Sequence, residues 1–248
     1  MTATLAHIAR HPIKSHGREE LASVLLTAGE SLPFDRYWAV AHDAARLVPG
    51  WNECVNFARG AKAPALMAIS ARLEDATATI TLMHPEKPDL TFRPDHTADL
   101  ARFLDWVRPL NPADRAQPVQ IVTAGRAMTD TDYPSISIFG LASNKALSGV
   151  LAQELSPDRW RGNLWIDGLA PWAEFDWVGK RVQIGTTVLE VVERITRCRA
   201  TMANPRTGVI DADTLGALDT TFGHQDFGVY ARVITGGTIA LGDTVQVE

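Results

Sequence analysis

The sequence predicts a mainly β chain with a few helices, of the α+β class, and not a doubly wound parallel sheet. Three observations carry that expectation. Short β-rich runs recur from one end of the chain to the other, glycine-containing joints separate many of them, and helical periodicity is confined to three stretches.

Taken in order, residues 3–9 (ATLAHIA) and 36–41 (RYWAVA) read as short strands. Residues 65–73 (ALMAISARL) and 77–84 (TATITLMH) flank Glu74-Asp75-Ala76, a polar connection that suits a hairpin. In 97–108 the apolar residues Leu100, Phe103, Leu104 and Val107 fall on one helical face, with Pro94 before and Pro109 after. Residues 109–118 (PLNPADRAQP) hold three prolines among polar residues and mark a boundary. The expected domains are therefore 1–110 and 119–248. Strands follow at 119–123 and 136–139, then a helix over 143–155, capped by Ser143 and striped with Leu147, Val150, Leu151 and Leu155. Further strands are expected at 163–167, 181–184, 187–195, 227–235 and 244–248, with a short helix at 211–218. Joints at Gly179, Gly185, Gly236-Gly237 and Gly242 separate them, and Asp243 is expected to fix its turn through the backbone.

Composition narrows the function. The 248 residues are 46% hydrophobic and 21% charged, which is globular, and the net charge of −5 argues against non-specific nucleic-acid binding. Nineteen of the 24 cations are Arg, the residue whose fork matches phosphate and carboxylate oxygens. Two cysteines, Cys54 and Cys198, support neither a disulfide framework nor a Cys-rich zinc site. The N-terminal segment has no continuous apolar core, and no run approaches a membrane span. A cytoplasmic protein without membrane partners is the expectation.

No P-loop, dinucleotide fingerprint, zincin motif or nucleophile elbow occurs. His7, His11 and His16 have spacings that do not converge on a metal. The informative stretch is 190–208, EVVERITRCRATMANPRTG. A lone Cys is most often a packing residue. Cys198, however, lies beyond a β-branched strand among Arg194, Thr196, Arg197, Arg199 and Thr201, and nearby cations favour the thiolate. If the strand runs through position 198, Arg194 and Thr196 share its face while Arg197 and Arg199 point away. Pro12-Ile13-Lys14-Ser15 is a turn that can hold a phosphate or simply be solvated, and Arg36 is a further oxyanion contact of the same kind. Arg159, Arg161 and Asn163 share one face if 157–164 is extended, as a bed for an oxyanion or heterocycle or as a solvated edge strand.

These segments occur in an order that resembles one family. PIKS (12–15), DRYW (35–38), RWRGN (159–163), FDWVGK (175–180), TRC (196–198) with NPRTG (204–208), and FGVYARV with its closing glycine turn are similar to the MOSC superfamily, the domain related to the C-terminal part of molybdenum-cofactor sulfurases. The first half resembles the β-barrel-like N-terminal domain that accompanies it. The resemblance implies a MOSC-type β-barrel preceded by a smaller β-barrel-like domain. It further implies a molybdenum cofactor (molybdenum-molybdopterin) and reduction of N-hydroxylated compounds, as in the bacterial N-hydroxylated-base reductases and the mitochondrial amidoxime-reducing component. Carried over, Cys198 is the molybdenum ligand and the catalytic centre, while Lys14, Ser15, Arg36, Arg161, Asn163 and Thr196 contact the cofactor.

Two departures stand out. Arg59 lies two positions too far from Pro64 to match the family's T-x-R-x-x-P run, and Gly162 replaces a common proline, beside the bulky Trp160. With two cysteines the sequence holds no four-Cys iron–sulfur cluster, so electrons are expected from a separate protein, a ferredoxin or a b-type cytochrome-like donor, with a small molecule as substrate. Two alternatives use the same residues: a sulfur carrier with a Cys198 persulfide, and a non-catalytic module that binds the cofactor.

Overall fold

The computed structural model describes residues 2–248. The N-terminal half contributes β1 (Thr4–Arg10), β2 (Glu19–Leu21), β3 (Ser23–Leu26), β4 (Trp38–His42), β5 (Ser70–Glu74), β6 (Thr79–His84), β7 (Lys87–Phe92) and α1 (Thr97–Val107). The C-terminal half contributes β8 (Pro118–Thr123), β9 (Ile136–Gly140), α2 (Leu141–Val150), β10 (Leu164–Asp167), β11 (Arg181–Ile184) and β12 (Thr187–Thr196). It ends with α3 (Thr214–Phe222), β13 (Asp226–Thr235), β14 (Gly237–Ala240) and β15 (Val245–Val247). The class is α+β, rich in short strands, as the glycine joints and period-2 runs predict.

One eight-stranded sheet runs β15-β11-β12-β13-β9-β10-β1-β2. All its pairs are antiparallel except β9 with β10. The strand pairs do not make a closed ring among the described residues. An isolated bridge between Thr4 and Thr244, with Val245 N–H donating to Ala3 O at 2.9 Å, links β1 to the lead-in of β15. Asp243 fixes that turn by accepting from Ala240 N–H at 2.9 Å. Inside the curve lie Leu5, Ile8, Ile138, Leu164, Val191 and Val229, all almost fully buried.

The first two strands therefore pair inside the same sheet as strands from the far end of the chain. Two further ladders cross the halves: β14 with β3, and β4 with β8. The remaining sheet, β5-β6-β7, is a meander closed by α1. Phe103, Leu104 and Val107 of that helix pack on Leu82, Leu90 and Phe92. The face read from the sequence is the buried one.

Several local expectations are corrected. Residues 65–73 are not one strand: Pro64 opens a 3-10 turn, Pro64–Ala68, that buries Leu66 and Met67 before β5 begins. The second helix starts at Leu141 and stops at Val150. Ser143 does not cap it. The residue is buried, and its hydroxyl meets the Glu174 carboxylate at 2.8 Å. Burial raises the pKa of Glu174, and the Ser143 and Gly140 donors oppose that rise. Residues 157–160 are a 3-10 turn rather than extended chain, ended by Arg161 in the left-handed region at φ 51°. The single face shared by Arg159, Arg161 and Asn163 is therefore absent. The last helix begins at Thr214, capped by the Asp213 carboxylate on Gly216 N–H at 3.0 Å.

Candidate functional site

Backbone hydrogen bonds tie the PIKS turn to the DRYW segment. Lys14 N–H donates to Trp38 O at 2.7 Å, Trp38 N–H to Pro12 O at 3.2 Å, and Arg36 N–H to His11 O at 2.6 Å. Side chains from positions 14, 15 and 36 thereby share one wall. Ser15 (φ 62°) and Arg36 (φ 51°) are in the left-handed region, as is Arg161. Each such residue costs about 1–3 kcal/mol, and strain of this kind collects at functional sites. Among the described residues, three of the seven non-glycine residues with positive φ line one cleft. It also explains why β4 starts at Trp38 and not at Arg36.

The cleft has a volume of about 280 Å³ and lies where the two halves meet. All seven residues expected at the site border it: Lys14, Ser15, Arg36, Arg161, Asn163, Thr196 and Cys198. Arg59, Arg159 and Arg197 also line it, against one carboxylate, Asp130. The cleft is thus strongly cationic within an acidic chain.

Most charges on the N-terminal wall are engaged. Lys14 Nζ donates to Met128 O at 2.8 Å and to Asp130 Oδ1 at 2.5 Å. The Lys14 charge, chiefly, holds Asp130 down at about 2. Asp35 is fully buried beneath. It accepts from His11 N–H at 2.8 Å, faces His11 Nδ1 at 3.2 Å, and pairs with Arg36. Burial would raise the Asp35 pKa, but the Arg36 charge and the His11 contacts outweigh it and hold the pKa well below the usual carboxylate range. Arg36 Nη2 continues to Arg161 O at 2.6 Å. Arg161 donates to Gly17 O at 3.2 Å, while its Nη1 is buried without a partner. Burial, then repulsion from Arg36 and Arg18, lowers Arg161 to about 9.

Not every expected residue has a free group. The Asn163 carboxamide is spent, accepting from Ser137 Oγ at 2.8 Å and donating to Ala9 O at 3.2 Å. It clamps β9 to β1. Thr196 Oγ1 donates to Asp226 at 2.6 Å. Arg159 is buried and held by Asp211 at 2.5 Å. Trp160, 1% exposed, stacks on Phe227 at 3.8 Å and donates its indole N–H to Asn144.

Cys198 sits just past the end of β12, in extended backbone (φ −118°, ψ 173°), with its side chain exposed. Because the strand stops at Thr196, the alternation expected around Cys198 lapses. Arg194 turns away to lie over Phe175 at 4.3 Å. Arg197 turns into the cleft, donating to Trp160 O at 2.6 Å and leaving its buried Nε unpartnered. Burial lowers the Arg197 pKa, and the neighbouring Tyr230 and Cys198 oppose that.

The NPRTG run acts as a brace. Gly208 N–H donates to Asn204 O at 2.8 Å, and a Cβ at Gly208 (φ 71°) would stand 2.6 Å from Ala65 Cα. Only glycine lets this turn press against the first half. Arg18 spans the same joint, donating to Pro205 O at 3.1 Å.

Sequence reasoning does not place Cys54, Asp130 and Tyr230 at the cleft, and it leaves Arg59 off the expected pattern. Arg59 reaches the cleft and donates to Cys54 Sγ at 3.0 Å. The irregular spacing to Pro64 hides it. His11 and His16 are buried, His16 donating Nδ1–H to Lys14 O at 2.7 Å, and no metal-binding cluster of three or more His, Cys, Asp or Glu occurs among the described residues.

Two family models match the chain. Residues 2–108 match the MOSC N-terminal beta barrel domain, and residues 127–246 match the MOSC domain. The mouse (Mus musculus) mitochondrial amidoxime-reducing component 1 is 23% identical over 289 aligned positions, covering 98% of this chain and 81% of that protein. Among solved structures, the YUAD protein from Bacillus subtilis superposes with a TM-score of 0.49 at 11% identity, over 100% of this chain and 96% of that one. YiiM from Geobacillus stearothermophilus gives 0.34 at 18% identity, over 46% of this chain and 53% of that one.

Proposed function

We propose, for a chain that belongs to the MOSC family and carries a MOSC N-terminal beta barrel domain ahead of its MOSC domain, that the cleft holds a molybdenum-molybdopterin cofactor and that the protein reduces N-oxygenated small molecules. The observation that carries the reading is a pairing: an exposed Cys198 thiol at the rim, and buried guanidinium nitrogens without partners, Arg161 Nη1 and Arg197 Nε, on the walls. Unpaired buried donors cost about 1–3 kcal/mol each, and an anionic pterin phosphate would satisfy them. The donor set also fits: one soft thiolate for the metal and hard cations for the phosphate.

Cys198 Sγ would ligate the metal. Ser15 Oγ and the Lys14–Arg36–Arg161 wall would hold the phosphate end. Asn163 and Thr196 position rather than bind, since their side chains are already engaged. When bound, the cofactor supplies two electrons for removing oxygen from an N–OH group, which consumes two protons and releases water. Asp130, held low by Lys14, stays ionised at neutral pH and donates none. Tyr230 keeps its proton, because burial and then Asp130 push its phenol up. Its hydroxyl borders the cleft as a group that still carries a proton. Electrons arrive from a separate donor protein.

Elemental analysis of protein produced in a cofactor-competent host, beside Cys198→Ser, tests the reading. Near-stoichiometric molybdenum in the wild type, lost or labile in the variant, supports it. Cyanide-releasable sulfur on Cys198 without molybdenum would replace it with sulfur transfer.

A further inference from the structure

A second cavity, of about 230 Å³, opens beside the first. Three cations line it, Arg59, Lys62 and Arg115, and no carboxylate does. Their charge is almost unneutralised. Among the described residues the Arg59 side chain donates only to the sulfur of Cys54. Lys62 makes no side-chain hydrogen bond or ion pair among the described residues, and the nearest carboxylate to Arg115 is Asp114 at 3.9 Å. His42 adds an unsatisfied atom: its Nε2 donates to Val55 O at 2.8 Å, and its Nδ1 is buried without a partner. Phe57 and Ala63 provide an apolar floor.

Like charges around one concavity repel, and low-dielectric walls focus the resulting field on any anion that enters. An apolar floor beneath cations suits a ligand with a carboxylate at one end and a hydrocarbon body at the other. We propose that this cavity is a binding site for a small organic anion with an apolar body. The carboxylate faces Lys62 and Arg115, the body covers Phe57, and a ligand hydroxyl satisfies His42 Nδ1. Arg59 borders both cavities, so the anion sits against the rim of the main cleft without entering it. The site stands independently of the cofactor reading, because Lys62, Arg115 and His42 do not line the main cleft.

Titration calorimetry with salicylate, which carries all three features, against its neutral counterpart salicylamide tests the site. Salicylate binds, and salicylamide binds at least about tenfold more weakly, the scale of one charge-assisted hydrogen bond. Lys62→Ala and Arg115→Ala each weaken salicylate by about tenfold, while Lys180→Ala, an exposed lysine elsewhere, changes nothing. Three results overturn the proposal: equal affinity for acid and amide, indifference to both cavity substitutions, or no heat with salicylate up to its solubility limit.

Discussion

Along the wall made by Lys14, Asp35 and Arg36, nearly every charge is buried and paired, whereas at the lip made by Thr196–Arg199 the Cys198 thiol is exposed with no hydrogen-bond partner among the described residues. The wall is set by strain and electrostatics: left-handed Ser15 and Arg36, and a carboxylate sealed between a histidine and an arginine. The lip is set by a strand ending. The contrast separates holding from reacting. A group that must be bound in one orientation needs the first kind of surface, and a group that must be replaced or ligated needs the second.

Cys198→Ser should break the comparison on the side of function alone. Turnover of an N-hydroxylated test substrate by loaded protein should fall by more than about 100-fold, since even outer partners of a metal ligand cost about 10–100-fold. Unfolding free energy should move by no more than about 0.5 kcal/mol, because the side chain is exposed. Retained turnover would remove Cys198 from the chemistry.

Asp35→Asn should break the other side. It leaves Arg36 without its countercharge, and breaking a buried pair costs about 3–5 kcal/mol. At this chain length the melting temperature should drop on the order of 10 °C, read by circular dichroism. A drop of only a degree or two would mean that the wall is far better solvated than the structure implies.

Acid sharpens the same contrast. Burial lowers His16 to about 4 and His11 to about 3, both from an ordinary value of 6.5, with Arg161 opposing their charge as well. Below pH 6.5 the unfolded chain binds protons that the folded wall refuses, so stability falls as pH falls from about 6.5 towards 4. His16 alone, fully buried, contributes a loss on the order of 3 kcal/mol across that window. Asp35, also lowered, adds its own loss below about pH 4, in the same direction. Urea unfolding at pH 7, 5 and 4 checks the slope, and Cys198→Ser should follow the wild-type curve. A flat profile between pH 7 and 5 would show that these rings are not held neutral.

The two surfaces also differ in how far the sequence discloses them. The lip is legible because a Cys among Arg and Thr at the end of a β-branched run is locally unusual. Strand runs such as 181–184 and helix α1 are legible through periodicity. The wall is legible only as fragments, since Lys14, Ser15 and Arg36 are ordinary loop residues until backbone hydrogen bonds align them. Burial of Arg159 and of the Arg161 Nη1 atom is hidden because a 3-10 turn and a left-handed residue replace the extended chain that alternation implies. Tyr230 and Asp130 come from β13 and a loop far apart in sequence, and no spacing rule links them. The spacing of Arg59 misleads, because its approach is fixed by its bond to Cys54 and not by its distance from Pro64.

The smallest effect probes what stiffens the wall from behind. Gly162 follows Arg161, and a Cβ there would stand 2.4 Å from the Phe139 ring. That ring cannot step aside freely: it is fully buried, stacked on Trp165 at 4.9 Å, and covered by the Arg197 guanidinium at 5.7 Å. Gly162→Ala should therefore cost about 1–3 kcal/mol as overpacking. Gly149, exposed in α2 with nothing within 4 Å of where a Cβ would stand, should respond oppositely, gaining up to about 1 kcal/mol as Ala through a less flexible unfolded chain. The two substitutions add the same atom, so chemical denaturation of both isolates the packing behind Arg161 from any general effect of losing a glycine. Equal shifts in one direction would mean that Phe139 yields, and that the guanidiniums beside it are held by solvent rather than by the aromatic stack.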